Sequence, residues 1–237
     1  MVKVSIVLPA YNEARNLEKA VKAVIDTMEK TKYDYEIIIA EDGSTDGTDV
    51  IASKLSDGKK ILHLHSKDRL GRGRALERAF RFAKGEVVAF LDVDLSTDMS
   101  HLPELIDKAL EYGIAIGSRL RKDSVTERPA KRDIPSKVYN FLVRLLLKSK
   151  VSDHQCGFKA FKKDIILSII PSVKDNHWFW DTEVLVIAQK KGFRIYEIPV
   201  KWKQGEETRV NVLKDSIYMF KCLIKMWLRC LRNEGDR

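Results

Sequence analysis

Cysteine is scarce in this chain of 237 residues: Cys156, Cys222 and Cys230 are the whole set. Three widely spaced thiols make neither a disulfide ladder nor a zinc knuckle, which points to a reducing compartment. No run reaches 18 uninterrupted apolar residues, so no transmembrane span is expected. The opening MVKVSIVLPAYNE has one lysine, a short apolar run and an early proline, the pattern of a strand and not of a signal peptide. The five histidines give no HExxH pattern, and His63 and His65, two apart on an expected strand, read as structural or surface positions or as a metal pair. A GxxxxGK[ST] phosphate loop is absent. Leu70-Gly71-Arg72-Gly73-Arg74 lacks the third glycine of a dinucleotide fingerprint and precedes the third helix, not the first. No internal repeat, low-complexity tract or interdomain linker is visible.

What is present is a globular composition. Hydrophobic residues at 44% beside charged residues at 32% exclude a disordered chain. A formal net charge of +9 serves solubility or calls for an anionic partner: a nucleotide, an acidic membrane or a nucleic acid. Apolar periodicity alternates strand and helix through the first 120 residues. Strands are expected at 2–10, 35–42, 60–66, 85–94 and 112–119, and helices at 14–28, 45–55, 73–83 and 101–111. Such alternation predicts an α/β fold with a mostly parallel, Rossmann-like sheet covered on both faces. Beyond it, residues 120–135 read as a long charged loop, 138–147 as an apolar segment, and 153–161 as a turn or short strand. Residues 177–192 read as an aromatic-led helix stopped by Gly192, 193–202 as a strand, and 211–232 as a long basic helix.

Ligands of parallel sheets bind outside the carboxyl ends of the strands, and the polar clusters fall there. Asp92 and Asp94 follow the apolar run VVAFL; two carboxylates two apart suit Mg²⁺ or Mn²⁺ held jointly with a diphosphate. Asp42 can accept N–H bonds from a nucleobase, Asp46 can cap the next helix, and Glu41 can back the site or face solvent. Gly71 permits close backbone approach, and Arg74 with the helix start favours an anion. Pro9 sets the first strand's exit, and Glu13 can reach a ribose or the neighbouring loops. Ten basic and three acidic residues lie in 119–150, among them Arg119, Arg128, Lys131, Arg132 and Lys137, which suit phosphate oxygens. A phosphate acceptor is already ionised and needs little help from a base. Asp153, Asp181 and Glu183 stay open as bases or as acceptors of sugar hydroxyls, Asp181 alternatively as a helix cap.

PAYNE, EDGSTDGT, LGRG, FLDVD and GSR in this order resemble the family 2 glycosyltransferases, inverting enzymes of the GT-A α/β fold. DHQCGFKAF, HWFWDTEVLVIAQ and IPVKW resemble dolichyl-phosphate β-glucosyltransferases, with the mannose synthases next. The resemblance implies a hexose, glucose favoured, passed from a nucleoside-diphosphate sugar, UDP-glucose favoured, to dolichyl or polyprenyl phosphate with Mg²⁺ or Mn²⁺. GDP-mannose, or an acceptor that is not a lipid, is the alternative. It implies that Pro9, Tyr11, Glu13 and Asp42 surround the nucleoside and that Asp92 and Asp94 hold the metal and diphosphate. Arg119 matches the arginine after the fifth strand, and Arg132 and Ser136 match residues that meet phosphate. Gln155 to Lys159 match a segment near the acceptor, and Arg209 a basic residue of a closing loop. Asp94, Arg119, Arg132 and Asp181 are thereby the catalytic candidates. Arg128, Arg132, Ser136, Gln155, Lys159 and Arg209 are the acceptor-side candidates. The relatives carry a glycine-serine-lysine run where this chain reads GEETRVN. The QxxRW signature of processive synthases is absent, which favours a single transfer.

The division expected is a catalytic domain over 1–209 and a basic amphipathic helix over 210–237. Lys214, Lys221, Lys225, Arg229 and Arg232 share one helical face, and Phe220 and Trp227 lie among the apolar remainder. Such a helix can lie in a membrane interface, pack on the core or form a dimer contact. The expected location is the cytoplasmic face of an anionic membrane. A nucleic-acid module is disfavoured, because the acidic strand ends would repel a phosphate backbone.

Overall fold

A computed structural model of the chain describes residues 3–127, 129–205 and 212–235. Arg128 and Arg209 lie outside the described residues, as does the side chain of Arg132.

The elements run β1 (Lys3–Ala10), α1 (Leu17–Met28), β2 (Asp34–Glu41), α2 (Thr48–Leu55), β3 (Ile61–Leu64), α3 (Arg72–Phe82), β4 (Val87–Leu91), α4 (Leu102–Tyr112) and β5 (Ile114–Ser118). They continue as β6 (Val125–Glu127), α5 (Ala130–Leu147), β7 (Phe158–Lys162), α6 (Lys163–Ile169), α7 (Trp180–Lys190), β8 (Ile195–Pro199), β9 (Lys201–Lys203) and α8 (Val212–Gly235).

Seven strands form the main sheet in the order β3-β2-β1-β4-β7-β5-β8. All its pairings are parallel except those of β7, which runs against β4 and β5. The central strands β1, β2 and β4 are buried almost continuously, as a sheet covered on both faces requires. Alternation divides their side chains. Ile6, Leu8, Ile37, Ile39 and Ala89 meet α1, α2 and α4. Val7, Ile38, Val88 and Phe90 meet α3, α5, α7 and α8. Helix α8 contributes Met219, Leu223 and Met226 to that second core.

Three departures from the expected pattern bear on the site. Residues 120–135 are not one loop: β6 pairs in parallel with β9, and α5 begins at Ala130. Pro129 opens that helix with φ −61° and ψ 139°, and the Asp133–Lys137 pair at 2.6 Å supports its exposed side. Residues 193–202 divide into β8 and β9, which belong to different sheets. Finally, β7 inserts antiparallel between β4 and β5, so the segment before it, residues 153–157, lies at the same sheet edge as the exits of β4 and β5.

Candidate active site at the strand ends

The loops after β1 and β2 are stitched together. Asn12 N–H donates to Ser44 Oγ (2.9 Å), Thr45 N–H to Asn12 Oδ1 (2.7 Å), and Glu13 N–H to Thr48 Oγ1 (2.7 Å). Asn12 holds φ +54°, a left-handed conformation that asparagine tolerates. Asp46 accepts from Thr48 N–H (3.1 Å), the capping role its position suggested, and also from Ala14 N–H (3.2 Å). Pro9 pairs with Ala40 at the exit of β1. The Glu13 carboxylate accepts from Asn16 Nδ2 at 2.8 Å. The Arg69 guanidinium lies 3.7 Å from the centre of the Tyr11 ring, a cation–π contact beside the expected nucleoside position.

Asp42 departs from its expected free carboxylate. Its two oxygens accept the backbone N–H groups of Leu70 (2.7 Å) and Gly71 (2.8 Å). The anion that meets the start of α3 is therefore the chain's own. Gly71 has φ +101°, and a Cβ there would come within 2.5 Å of Asn176 O, so this turn requires glycine.

Arg72, not Arg74, reaches the strand ends. Its guanidinium spans Asp92 Oδ1 (2.9 Å) and Asp181 Oδ2 (2.5 Å), with its side chain 14% exposed. Arg74 is half-exposed and pairs with Glu77 at 3.0 Å. Between them Gly73 faces Trp180, where a Cβ would stand 2.6 Å from the indole.

Asp181 is buried and both of its oxygens are taken, one by Arg72 and the other by Lys159 Nζ at 2.7 Å. Burial alone would raise its carboxyl, but the two cations hold it below the usual range. In this arrangement the Asp181 carboxylate orients Arg72. Lys159 is fully buried, donating to Asp181 and to Cys156 O, so it cannot touch an acceptor as expected.

Asp92 is half-exposed and Asp94 exposed. The Asp94 carboxylate accepts from Ser96 N–H (3.0 Å) and Ser96 Oγ–H (2.8 Å). Desolvation raises the Asp92 carboxyl above its usual range even with Arg72 beside it, and the charges of Asp94 and Asp181 push the same way. A cation would relieve that excess of negative charge, and two carboxylates offer the hard oxygens a divalent ion takes. Asp92 N–H donates to Gly157 O at 3.0 Å, and a Cβ on Gly157 would fall 1.8 Å from Asp92 Oδ2. Gly157→Ala is therefore expected to displace this carboxylate. A shift of that size lowers turnover by about 100-fold, measurable by steady-state kinetics on the folded variant.

On the far side, Arg119 is bidentate to Asp153 (Nε 2.7 Å, Nη2 2.9 Å) and 9% exposed, so its guanidinium is committed to the protein. The Arg119 N–H also donates to Asp153 Oδ2 at 3.0 Å, and Gln155 N–H to Asp153 Oδ1 at 3.1 Å. Buried Ser136 on α5 donates to Gln155 Oε1 at 3.2 Å. Next to it, burial pushes His154 down to about 3, so it stays neutral between Asn140 and Ser149. The structure thus gathers Arg72, Asp92, Asp94, Gly157, Lys159 and Asp181 into one charged cluster. Asp42 and Tyr11 sit toward β2, and Arg119, Ser136 and Gln155 toward α5.

A mostly parallel sheet whose strand exits converge on paired carboxylates is the frame of a nucleotide-sugar transferase. Residues 5–169 match the family model "Glycosyl transferase family 2", and the chain belongs to that family. It is 48% identical over 231 residues to the glycosyltransferase AglD of Haloferax volcanii, covering 95% of this chain and 37% of that protein. It thus spans little more than a third of that relative's length. It is 31% identical to the dolichyl-phosphate β-glucosyltransferase of Saccharomyces cerevisiae, covering 93% of this chain and 72% of the relative. A crystal structure of glucosyl-3-phosphoglycerate synthase from Mycobacterium tuberculosis with Mn²⁺, UDP and glucosyl-3-phosphoglycerate is similar at a TM-score of 0.71. The identity is 18%, over 95% of this chain and 80% of that one. Mannosyl-3-phosphoglycerate synthase from Rubrobacter xylanophilus gives a TM-score of 0.68 at 17% identity, over 99% of this chain and 75% of that one. The fold is the GT-A fold, and the family is that of the glycosyltransferases.

Proposed function

We propose that this chain performs a single, inverting transfer of a hexose from a nucleoside-diphosphate sugar to an acceptor that carries a phosphate. The observation that carries this reading is the carboxylate pair Asp92 and Asp94, open to solvent and backed by the Arg72–Asp181–Lys159 chain of charges. Asp92 and Asp94 would hold Mg²⁺ or Mn²⁺, whose chemistry there is to neutralise charge on the departing nucleoside diphosphate. Arg72 adds a fixed positive charge beside Asp92, and Asp181 with Lys159 keeps it aimed. Tyr11, Glu13 and Pro9 would border the nucleoside, and Asp42 fixes the backbone of residues 70 and 71. Ser136, Gln155 and Lys131 near the start of α5 lie on the acceptor side in this reading. No base is needed where the acceptor's own phosphate oxygen attacks, which accords with the committed state of Asp181 and Asp153.

For the acceptor, a polyprenyl phosphate at an anionic membrane is supported by two neighbouring helices. Ile134, Val138, Phe141 and Leu145 form an exposed stripe on α5, and Ile217, Phe220, Leu228 and Leu231 another on α8, which packs against α5. Among the described residues no helix is long and apolar enough to cross a membrane, so the contact would be interfacial. The 31% identical yeast relative bears the name of a dolichyl-phosphate enzyme and favours glucose. A soluble phosphorylated acceptor is the second reading, favoured by the phosphoglycerate products of the solved structures with the same fold. The test offers labelled UDP-glucose or GDP-mannose to polyprenyl phosphate and to phosphoglycerate in parallel, with flotation on phosphatidylglycerol vesicles. The lipid reading expects labelled lipid, and Phe141→Glu with Phe220→Glu to abolish flotation and lower lipid transfer without unfolding. Product on phosphoglycerate alone, with no flotation, would select the second reading.

A further inference from the structure

We infer that Glu41, His63 and His65 form a second metal site, for a divalent transition ion of the Zn²⁺ class, at the β3 edge of the sheet. The register places Ile39 opposite His63, so by alternation Glu41, His63 and His65 share one face of β2 and β3. One ligand atom from each lies within 4.8 Å of the others. Asp92 and Asp94 take no part in this group.

A plain histidine–carboxylate pair accounts for only two of the three residues. His65 Nδ1 is 2.6 Å from Glu41 Oε2, and the Glu41 side chain is fully buried. His63 Nε2 is buried and has no hydrogen-bond partner among the described residues. A buried imidazole nitrogen left empty costs free energy, and it stands beside a carboxylate and a second imidazole. An ion supplies the partner that the protein does not. Burial lowers His63, which keeps it in the neutral form a metal needs, and Asp49 on α2 adds negative charge nearby.

The donor set decides the class of ion. Two imidazoles and one carboxylate match the protein ligands of an open Zn²⁺ site, with a fourth position for water. Mg²⁺ prefers oxygens alone, as at Asp92 and Asp94. Ligands about 2.0–2.2 Å from a tetrahedral ion stand ~3.4 Å apart, so the 2.6 Å contact has to widen by less than an ångström. His65 is 52% exposed at its side chain and can swing, carrying its proton on Nε2 while Nδ1 binds. Glu41 is already oriented, because its other oxygen accepts Ser44 N–H at 2.6 Å. The ion would tie the edge strand β3 to β2 and, through Ser44, to the loop that borders the nucleoside side.

The test is Zn²⁺ titration by calorimetry into the metal-free full chain carrying Asp94→Asn, which disables the other carboxylate pair. Co²⁺ is then added for its visible absorption. The expected result is one Zn²⁺ site in the Asp94→Asn protein, with a raised melting temperature and tetrahedral Co²⁺ bands. Adding His63→Gln or His65→Gln weakens binding by about 10-fold or more and removes the bands. His65→Gln, at an exposed side chain, guards against a loss caused by misfolding. Absence of Zn²⁺ binding in Asp94→Asn, or equal binding in the histidine variants, overturns the site. Neither outcome bears on sugar transfer.

Discussion

Asp94→Ala is expected to lower sugar transfer about 1,000-fold or more, since a metal's charge stabilisation is worth several kcal/mol, and to leave the melting temperature unchanged. The Asp94 side chain is exposed, and its hydrogen bonds are to Ser96 two residues along. Its removal therefore takes little from the fold. The chemistry loses one of two carboxylates that would fix the ion against the diphosphate. Steady-state kinetics with labelled donor at saturating Mn²⁺, together with a thermal melt, separates the two effects. A loss of tenfold or less in a folded variant would place the charge neutralisation on Arg72 and the basic side chains instead.

Asp153→Asn is expected to do the opposite, costing stability first. Asp153 is fully buried and meets Arg119 through two side-chain hydrogen bonds and one from its backbone. Breaking such a pair strands a buried guanidinium and costs about 3–5 kcal/mol, or ~10 °C in Tm for a chain of this size. Replacing both partners by apolar residues should recover much of that loss. Burial alone would raise the Asp153 carboxyl, but Arg119 holds it far below the usual range. Its folded pKa is thus below the unfolded value near 3.9, so the stabilisation is complete above that pH and is lost as pH falls below it. Urea melts of wild type and Asp153→Asn between pH 3 and pH 7 should converge toward the acid end.

The parallel half of the sheet was legible because its strands are continuous apolar runs ending in acids. VVAFL before Asp92 and IIIA before Glu41 leave little choice of element or of edge. The antiparallel β7 was not legible. Its sequence FKAFK reads equally as a short strand of either direction, and only pairing with β4 and β5 puts Gly157 against Asp92. The start of α5 was hidden by Pro129 and Pro135, which look like loop residues until the first is seen to open the helix. In the site, residue types were readable and commitments were not. Arg72 and Arg74 are two apart in one motif, and only the folded helix shows that Arg72 is the one that meets Asp92. Lys159 and Asp181 look like free charges in sequence, yet they neutralise each other under the site. His63 looked like an ordinary strand residue, and its unpartnered nitrogen emerges only once β3 is paired with β2.

Calorimetric titration of UDP and of GDP with and without Mn²⁺ asks whether the strand-end carboxylates hold a nucleoside diphosphate through a divalent ion. One of the two nucleotides should bind wild type in the presence of Mn²⁺, bind far more weakly without it, and lose the metal-dependent part in Asp92→Asn. Binding of equal strength without the ion, or unchanged in folded Asp92→Asn, would contradict it.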